Sequence, residues 1–173
     1  MIKYRTSGHG KALLGKGDSA AAQCVSCHAG HGVRRAESPL SRVNPKNVPE
    51  TCGVCHADPA VMKGRSRKAR TPPMPYKKSV HGNALLEKGD LGAPACNDCH
   101  GNHAALPPMT SHISQMCRNC HVEQGTLFDS SLHKKAFEKH SWPECAQCHN
   151  NHLVRKPTDR MLGPTGLCVY CHN

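Results

Sequence analysis

The stretch Cys24-Val25-Ser26-Cys27-His28 is the first of six copies of the pentapeptide Cys-x-x-Cys-His in this chain of 173 residues. The copies use every cysteine of the chain, in the pairs Cys24 and Cys27, Cys52 and Cys55, Cys96 and Cys99, Cys117 and Cys120, Cys145 and Cys148, and Cys168 and Cys171. A histidine follows each pair directly: His28, His56, His100, His121, His149 and His172. This spacing is the attachment signature of haem c, in which two thiols bond to the haem vinyl groups and the next imidazole binds the iron. The sequence therefore predicts six covalent haems.

Two alternatives use the same cysteine spacing. Paired motifs can hold zinc in three four-cysteine sites, and cysteines of exported proteins can form disulfides. Neither chemistry needs a histidine after every second cysteine, so haem is favoured over both.

The composition agrees with a haem-filled interior. Aromatic residues make up only 3% of the chain, which also has 13 prolines and 15 glycines. Such a chain lacks the large apolar side chains of an ordinary core and resembles a disordered one. We expect the haems to replace the core and the haem-free chain not to fold.

The net charge of +11, from 23 basic and 12 acidic residues, suggests at first a nucleic-acid or membrane-surface partner. Six haems would bring twelve propionate carboxylates, which offset this excess. The chain also has no pattern of interleaved aromatic and basic residues, so nucleic-acid binding is not predicted.

An internal repeat divides the chain. The segment 7–18 matches 79–90 at nine of twelve positions, and a weaker third copy begins at Ser131. Each copy leads into Cys-x-x-Cys-His-x-x-His, and a second Cys-x-x-Cys-His follows. We predict three two-haem modules at 1–61, 76–125 and 126–173, which form one continuous haem-cored domain.

The predicted fold class is mainly α, with little regular secondary structure and a loop-rich chain wrapped around a haem stack. Each module should open with a short helix, capped by Ser7, Ser79 or Ser131. Gly17 and Gly89 suit the ends of the first two helices. A further helical turn is expected at each Cys-x-x-Cys-His, and no alternating strand pattern of useful length is present.

A basic, proline-containing linker is predicted at 62–75. Its lysines and arginines, with those that follow to residue 78, fit a solvated, proline-stiffened connection. The alternatives are a docking patch for an acidic redox partner and a neutraliser of exposed propionates.

Eight histidines lie outside the motifs. Six recur by module and match the number of missing distal iron ligands: His9, His31, His81, His103, His133 and His152. His112 and His140 have no counterpart in the other modules and are not predicted to bind iron. The repeat thus favours six low-spin irons, each bound by two histidines.

The histidine three residues after a motif carries a geometric prediction. On one helical turn, His28 and His31 would share a face. The two axial ligands of one iron approach from opposite sides. His31 should therefore bind an iron other than the one that His28 binds, which would link neighbouring haems.

The motifs resemble those of the multihaem cytochromes c with paired, or doubled, Cys-x-x-Cys-His motifs. The resemblance rests on Ser79-Val80-His81-Gly82, on Cys96-Asn97-Asp98-Cys99-His100-Gly101-Asn102-His103 and on Cys145-Ala146-Gln147-Cys148-His149-Asn150-Asn151-His152. It covers nearly the whole chain and implies a hexahaem electron-transfer protein of an anaerobic-type respiratory chain, with the haems in parallel and perpendicular stacks. The first module departs from the pattern, because it lacks the asparagine before His31 and carries the 62–78 insertion.

We expect electron transfer between redox donor and acceptor proteins, with a membrane quinol-oxidising complex as one candidate partner. A multihaem reductase of oxyanions is an alternative, but it needs an open iron, often marked by Cys-x-x-Cys-Lys, which this sequence lacks. We therefore expect no enzymatic activity. A subunit of a larger cytochrome complex or of an extracellular conductive filament is a further alternative.

Haem c is attached outside the cytoplasm, so a periplasmic or extracellular location is expected. The start, Met1-Ile2-Lys3-Tyr4-Arg5, is not a signal peptide, and no apolar run is long enough to span a membrane. We expect the chain to be part of a longer protein, or to have lost its signal, with any membrane association made through a part outside this sequence.

Overall fold

A computed structural model describes residues 2–65, 74–108 and 110–172. These residues form short helices joined by turns and loops, and no strand occurs among them. The mainly helical, loop-rich fold class is thereby confirmed. The longest helices of the described part have nine residues, and none is both long and apolar enough to cross a membrane.

The chain separates into two compact units, 1–108 and 109–173. The boundary falls inside the second predicted module, and each unit carries three of the six motifs. The division into three two-haem modules stays a prediction.

The first unit contains eight α-helical segments and two π-helical turns in its described part. They are α1 (Ile2–Thr6), α2 (Gly8–Gly10), a π turn (Lys11–Gly15), α3 (Cys24–His28), α4 (Val48–His56), α5 (Pro59–Met62), α6 (Met74–Lys77), α7 (Val80–Gly82), a second π turn (Asn83–Glu87) and α8 (Cys96–His100). Its core is small and consists of Val48, Leu85, Ala93 and Ala95, with Tyr76 packed against them.

The repeat has a structural counterpart. Ser7 and Ser79 are both buried, and their hydroxyls accept hydrogen bonds from the backbone N–H of Gly10 and Gly82 at 2.9 and 3.0 Å. This confirms the two predicted N-caps. Gly17 and Gly89, at φ of 66° and 73°, follow the ends of the opening helices as predicted.

The structural match between the two repeats also includes residues outside the matched segments 7–18 and 79–90. The hydroxyl of Tyr4 donates to the carbonyl of Ala22, and that of Tyr76 donates to the carbonyl of Pro94, at 2.7 Å in both cases. Each tyrosine thus ties the start of a repeat to the segment just before a haem motif. This bond sets the position of the opening helix relative to the motif.

The second unit contains α9 (Thr110–Arg118), α10 (Val122–Asp129), α11 (Leu132–His140), α12 (Glu144–His149), α13 (Asp159–Leu162) and a 3-10 helix (Leu167–Tyr170). Ser131 precedes α11 as predicted, but its hydroxyl accepts no capping bond and instead donates to the carbonyl of Phe128 at 2.6 Å. Phe137 is the buried hydrophobic side chain among the described residues of this unit.

The motifs form helical turns, with two departures from the prediction. The first, second, third and fifth motifs end α3, α4, α8 and α12. In the fourth motif α9 ends at Arg118, and the sixth motif lies largely in a 3-10 helix. Both still close a turn, because the backbone N–H of His121 and of His172 donates to the carbonyl of the first cysteine at 2.9 and 2.8 Å.

The predicted linker is described only in part. Residues 66–73, which include Arg67, Lys68 and Arg70, lie outside the described residues. Of the remainder, Lys63 is exposed, whereas Arg65 pairs with Asp18 and is largely withdrawn from solvent. Arg65 is therefore an internal tie within the first unit and not part of an open basic patch.

Candidate haem-binding sites

No disulfide joins any two of the twelve cysteines, and six of these residues are exposed. The described residues contain no group of three or more histidine, cysteine, aspartate or glutamate side chains placed to hold one metal ion. Each motif places its two cysteines and its histidine within one short turn of the chain, which is the arrangement that haem attachment uses.

Cysteines of different motifs come into contact in both units. In the first unit, the thiol of Cys52 in the second motif donates a hydrogen bond to Cys96 in the third. This bond, together with burial, raises the pKa of Cys52, and it lowers the pKa of Cys96. In the second unit, a hydrogen bond from Cys117 in the fourth motif lowers the pKa of Cys145 in the fifth to about 6.

Cysteines of the remaining neighbouring motifs also lie close to one another. Burial raises the pKa of Cys27, and the nearby thiols of Cys52 and Cys55 raise it further. Burial also raises the pKa of Cys148, and the nearby thiols of Cys168 and Cys171 raise it further. Within each unit, every motif therefore lies beside the next one along the chain. The attachment points of successive haems are adjacent.

Histidine rings pair across the motifs. The ring centres of His9 and His56 are 6.0 Å apart, those of His28 and His103 are 5.9 Å apart, and those of His133 and His172 are also 5.9 Å apart. Two imidazoles that bind one metal ion from opposite sides, each with a nitrogen about 2 Å from it, have ring centres about 6 Å apart. The spacing of these rings fits an iron between them.

Each ring pair joins one motif histidine to one histidine that the repeat predicts as a distal ligand. His9 and His133 occupy equivalent positions in their modules, and each faces the histidine of its module's second motif. His103 lies three residues after the third motif and faces His28 of the first. At these three positions, the residues present fit an iron with two protein ligands.

The neutral form of His9 is favoured by its surroundings. Burial lowers the pKa of this imidazole, and the neighbouring His56 and Arg65 lower it further. An imidazole binds metal ions through an unprotonated ring nitrogen. The environment of His9 therefore favours the form that binds iron.

The structure places the other three predicted distal ligands without showing which iron they serve. His31 is exposed, and His81 and His152 are half-buried. Of the two histidines without counterparts, His112 is exposed on α9, and His140 stacks on Trp142 with ring centres 4.7 Å apart. These assignments stay predictions.

The prediction that His28 and His31 lie on one helical turn is wrong. The residue after the motif histidine has positive φ in all three Cys-x-x-Cys-His-x-x-His segments: 66° at Ala29, 80° at Gly101 and 63° at Asn150. Their ψ values of 161°, 161° and 178° turn the chain sharply out of the helix. His28 and His31 therefore do not share one helical turn. The contact between His103 and His28 nevertheless supports the idea that the second histidine serves a different motif.

The sharp turn has a consequence that the sequence did not reveal. The chain folds back so that Nδ1 of His100 lies 3.1 Å from the carbonyl oxygen of Leu106, and Nδ1 of His149 lies 3.1 Å from that of Arg155. When Nδ1 donates to a carbonyl, the proton is fixed there and Nε2 is left free to bind metal. Two motif histidines are thus oriented by backbone six residues later.

A charged cluster between the fourth and fifth motifs was also missed. Arg118, inside the fourth motif, binds Asp129 and lies 3.4 Å from Glu144, which in turn accepts from Lys134 at 2.7 Å. Burial opposes ionisation of Glu144, but hydrogen bonds from Lys134 and Ser114 outweigh it and lower the pKa. The cluster holds the start of α12, and with it the fifth motif, against the end of α9.

Comparison with known proteins agrees with this geometry. Residues 17–61, which contain the first two motifs, match the family described as the doubled CXXCH motif. The multiheme cytochrome MtrA of Shewanella baltica (strain OS185) is 25% identical over an alignment of 179 positions that covers 95% of the chain. The chain spans 46% of that relative's length. No solved structure matches the chain.

Proposed function

We propose that this chain is a multihaem c-type cytochrome that carries single electrons between redox partner proteins through six covalently attached haems. Haem c, when bound, supplies one-electron exchange at its iron. The chain's own contribution is to attach, ligate and space the groups. It does so with the six cysteine pairs and with twelve histidines.

The contact between cysteines of successive motifs is the observation that carries this proposal. Cys52 meets Cys96 in the first unit, and Cys117 meets Cys145 in the second. Once these sulfurs are thioethers, the groups attached through them have neighbouring edges. A carrier needs such proximity, whereas an enzyme can work with isolated groups.

We propose two histidine ligands at each iron, as the repeat predicts. The ring pairs of His9 with His56, His28 with His103, and His133 with His172 support three of the six. The remaining ligands would come from His31, His81 and His152. An iron with two histidines has no open position for a substrate, and for that reason we propose that the chain is not an enzyme.

The location and the partners follow from the attachment chemistry. We propose an exported protein, in the periplasm or at the cell surface, with one redox protein as donor and another as acceptor. A quinol-oxidising membrane complex is a suitable donor, and the setting would be anaerobic respiration.

The cofactor proposal is tested by intact mass and by the ratio of haem to protein in the matured chain. Six haems are expected, and a smaller number or bound zinc would contradict the proposal. Electron paramagnetic resonance of the oxidised protein should show low-spin signals alone. A substantial high-spin signal would point to an open iron.

The carrier proposal is tested by steady-state assays with nitrite, hydroxylamine and sulfite. Reduction of the protein by a low-potential donor should be fast, and turnover of these substrates should stay far below the roughly 1 per second or more of typical enzymes. Robust turnover of any of the three would replace the carrier proposal with the reductase alternative.

A further inference from the structure

The second unit has an aromatic cluster around Phe137, which is only 8% exposed. The ring of Phe137 meets those of Phe128 and Trp142 edge to face, with centre distances of 5.6 and 5.3 Å and interplanar angles of 82° and 89°. Trp142 is itself fixed, because its backbone N–H donates to the carbonyl of Phe137 at 3.0 Å and its ring stacks on His140. The cluster therefore holds the plane of the Phe137 ring.

His133 extends this cluster to the proposed iron site. It lies one helical turn before Phe137 on α11, and the two rings meet edge to face at 6.1 Å and 78°. On its other side, His133 faces His172 at 5.9 Å. The imidazole is thus held between a fixed aromatic ring and its proposed partner ligand.

The equivalent positions in the other modules are aliphatic. Leu13 follows His9 by four residues, and Leu85 follows His81 by four. A leucine side chain has no plane and cannot favour one rotation of an imidazole through an edge-to-face contact, whereas an aromatic ring can. The second unit therefore has a restraint that the first unit lacks at these positions.

The ring pairs differ in their mutual orientation. The planes of His133 and His172 cross at 73°, whereas those of His28 and His103 are nearly parallel at 15°. The pair of His9 and His56, which has a leucine at the supporting position, lies at 57°. The crossed orientation is greatest where the aromatic support is present.

We propose that Phe137 is a positioning residue that fixes the rotation of the His133 imidazole and keeps its plane crossed with that of His172. This inference rests on the proposed haem ligation. The relative orientation of two axial imidazoles matters because each plane selects the iron d orbital with which it overlaps. Parallel planes overlap with the same one of two iron d orbitals and separate the two strongly in energy. Crossed planes overlap with one d orbital each and leave the two close in energy.

This difference has a spectroscopic signature that protein stability alone does not change. A low-spin ferric haem with crossed imidazoles gives a resonance with a large maximum g value, and one with parallel imidazoles gives an ordinary rhombic signal. The haem attached at Cys168 and Cys171 should contribute a large-g component. The haem attached at Cys24 and Cys27 should contribute a rhombic one.

Substitution of Phe137→Leu, the residue type of the other modules, tests the proposal in the fully matured chain. We expect the large-g component of one haem to shift toward smaller g or to broaden, while six low-spin haems are retained. Phe137→Tyr keeps the ring and should leave the component in place. Leu132→Ala, at a side chain 89% exposed on the same helix, is the matched control and should also change nothing.

An unchanged large-g component in Phe137→Leu would overturn the proposal. If this variant does not mature, Phe137→Met also removes the ring while its flexible side chain can fill the gap, and the same two outcomes apply to it.

A second set of variants tests the ligand assignment separately from the positioning role of Phe137. His133→Ala should convert one haem to high spin, and His140→Ala, on the same helix, should not. If His133→Ala leaves all haems low-spin, the ligand assignment itself is wrong. If it creates a high-spin haem while Phe137→Leu has no effect, the ligation stands and only the positioning role fails.

Discussion

At the scale of single residues, two glycines leave no room for a side chain. A Cβ at Gly10 would lie 1.9 Å from the carbonyl oxygen of Tyr4, and one at Gly82 would lie 2.1 Å from that of Tyr76. Because the obstacle is backbone, no rotamer change can relieve it. These close approaches hold each opening helix, with the histidine one residue before the glycine, against the preceding segment.

We therefore expect Gly10→Ala to lower the free energy of unfolding of the haem-loaded protein by about 1–3 kcal/mol, as overpacking does. Gly15→Ala is the control, since a Cβ there meets no atom within 4 Å. That substitution should be neutral or should stabilise by roughly 0.5–1 kcal/mol. Guanidinium unfolding followed by circular dichroism provides the comparison, and equal effects of both variants would contradict the packing argument.

A second residue-scale contrast concerns Asp18 and its repeat equivalent, Asp90. Each carboxylate accepts a backbone N–H two residues later, from Ala20 at 3.1 Å and from Gly92 at 2.9 Å. Only Asp18 also has an ion pair among the described residues, with Arg65. The hydrogen bond from this guanidinium lowers the pKa of the Asp18 carboxyl.

The ion pair with Arg65 makes the stabilisation by Asp18 depend on pH. A carboxyl whose pKa is lower in the folded state stabilises the fold above its unfolded pKa, about 3.9, and loses this contribution as the pH falls through the folded value. We expect Asp18→Asn to destabilise the protein at pH 7 and the difference from wild type to shrink below about pH 4. Asp90→Asn, which removes the equivalent carboxylate, is the matched control in the same measurement of unfolding midpoints. Identical dependence of stability on pH in the two variants would show that the ion pair with Arg65 does not contribute.

At the scale of elements, the turns that follow three motifs decide where the next histidine points. Ala29, Gly101 and Asn150 share a backbone conformation with positive φ and extended ψ. This region is accessible essentially to glycine, and other residues in it are strained by about 1–3 kcal/mol. Two of the three turns are therefore held in a strained state by the structure around them.

We expect Ala29→Gly to raise the free energy of unfolding by about 1 kcal/mol, because the relief of strain exceeds the entropic cost of glycine, roughly 0.5–1 kcal/mol. The reverse change, Gly101→Ala, should destabilise the protein. Gly30→Ala is a suitable control, as its Cβ would meet nothing within 4 Å and its φ is not positive. Denaturant titration of the matured proteins measures all three, and a destabilising Ala29→Gly would refute the strain at this turn.

At the scale of the whole molecule, the polypeptide has very little core of its own. The buried hydrophobic side chains of the described residues are Ala21, Val48, Met62, Leu85, Ala93, Ala95 and Phe137, of which three are alanines. So few large side chains, each contributing about 1.5–3 kcal/mol when fully buried, give only a small hydrophobic stabilisation. We expect the attached haems to supply the missing contacts.

The chain made without haem, for example with all twelve cysteines replaced by alanine, should therefore fail to fold. We expect a far-ultraviolet circular dichroism spectrum of a disordered chain and no cooperative transition on heating. The matured protein in the same buffer is the control and should melt cooperatively. A cooperative transition in the haem-free chain would show that the polypeptide core suffices.

Short-range features of this molecule were predictable because they depend on neighbours in the sequence. The helical turns at most motifs, the caps at Ser7 and Ser79, and the glycines that follow the opening helices all depend on a few adjacent residues. The haem-attachment residues, which stay a prediction, are equally local, since one pentapeptide contains both thiols and an imidazole. The repeat also singled out His9, His103 and His133 from the other histidines, and each of them lies opposite a motif histidine.

Only the tertiary structure decided which histidine faces which. His103 meets His28 across 75 positions of the chain, and no local pattern encodes that contact. The assumed helical turn from His28 to His31 failed because positive φ at Ala29 is imposed by the surrounding fold, against the preference of alanine. The aromatic support of His133 also depends on packing: Phe137 is only four residues away, but Phe128 and Trp142 reach it only because α10, α11 and the following turn pack together.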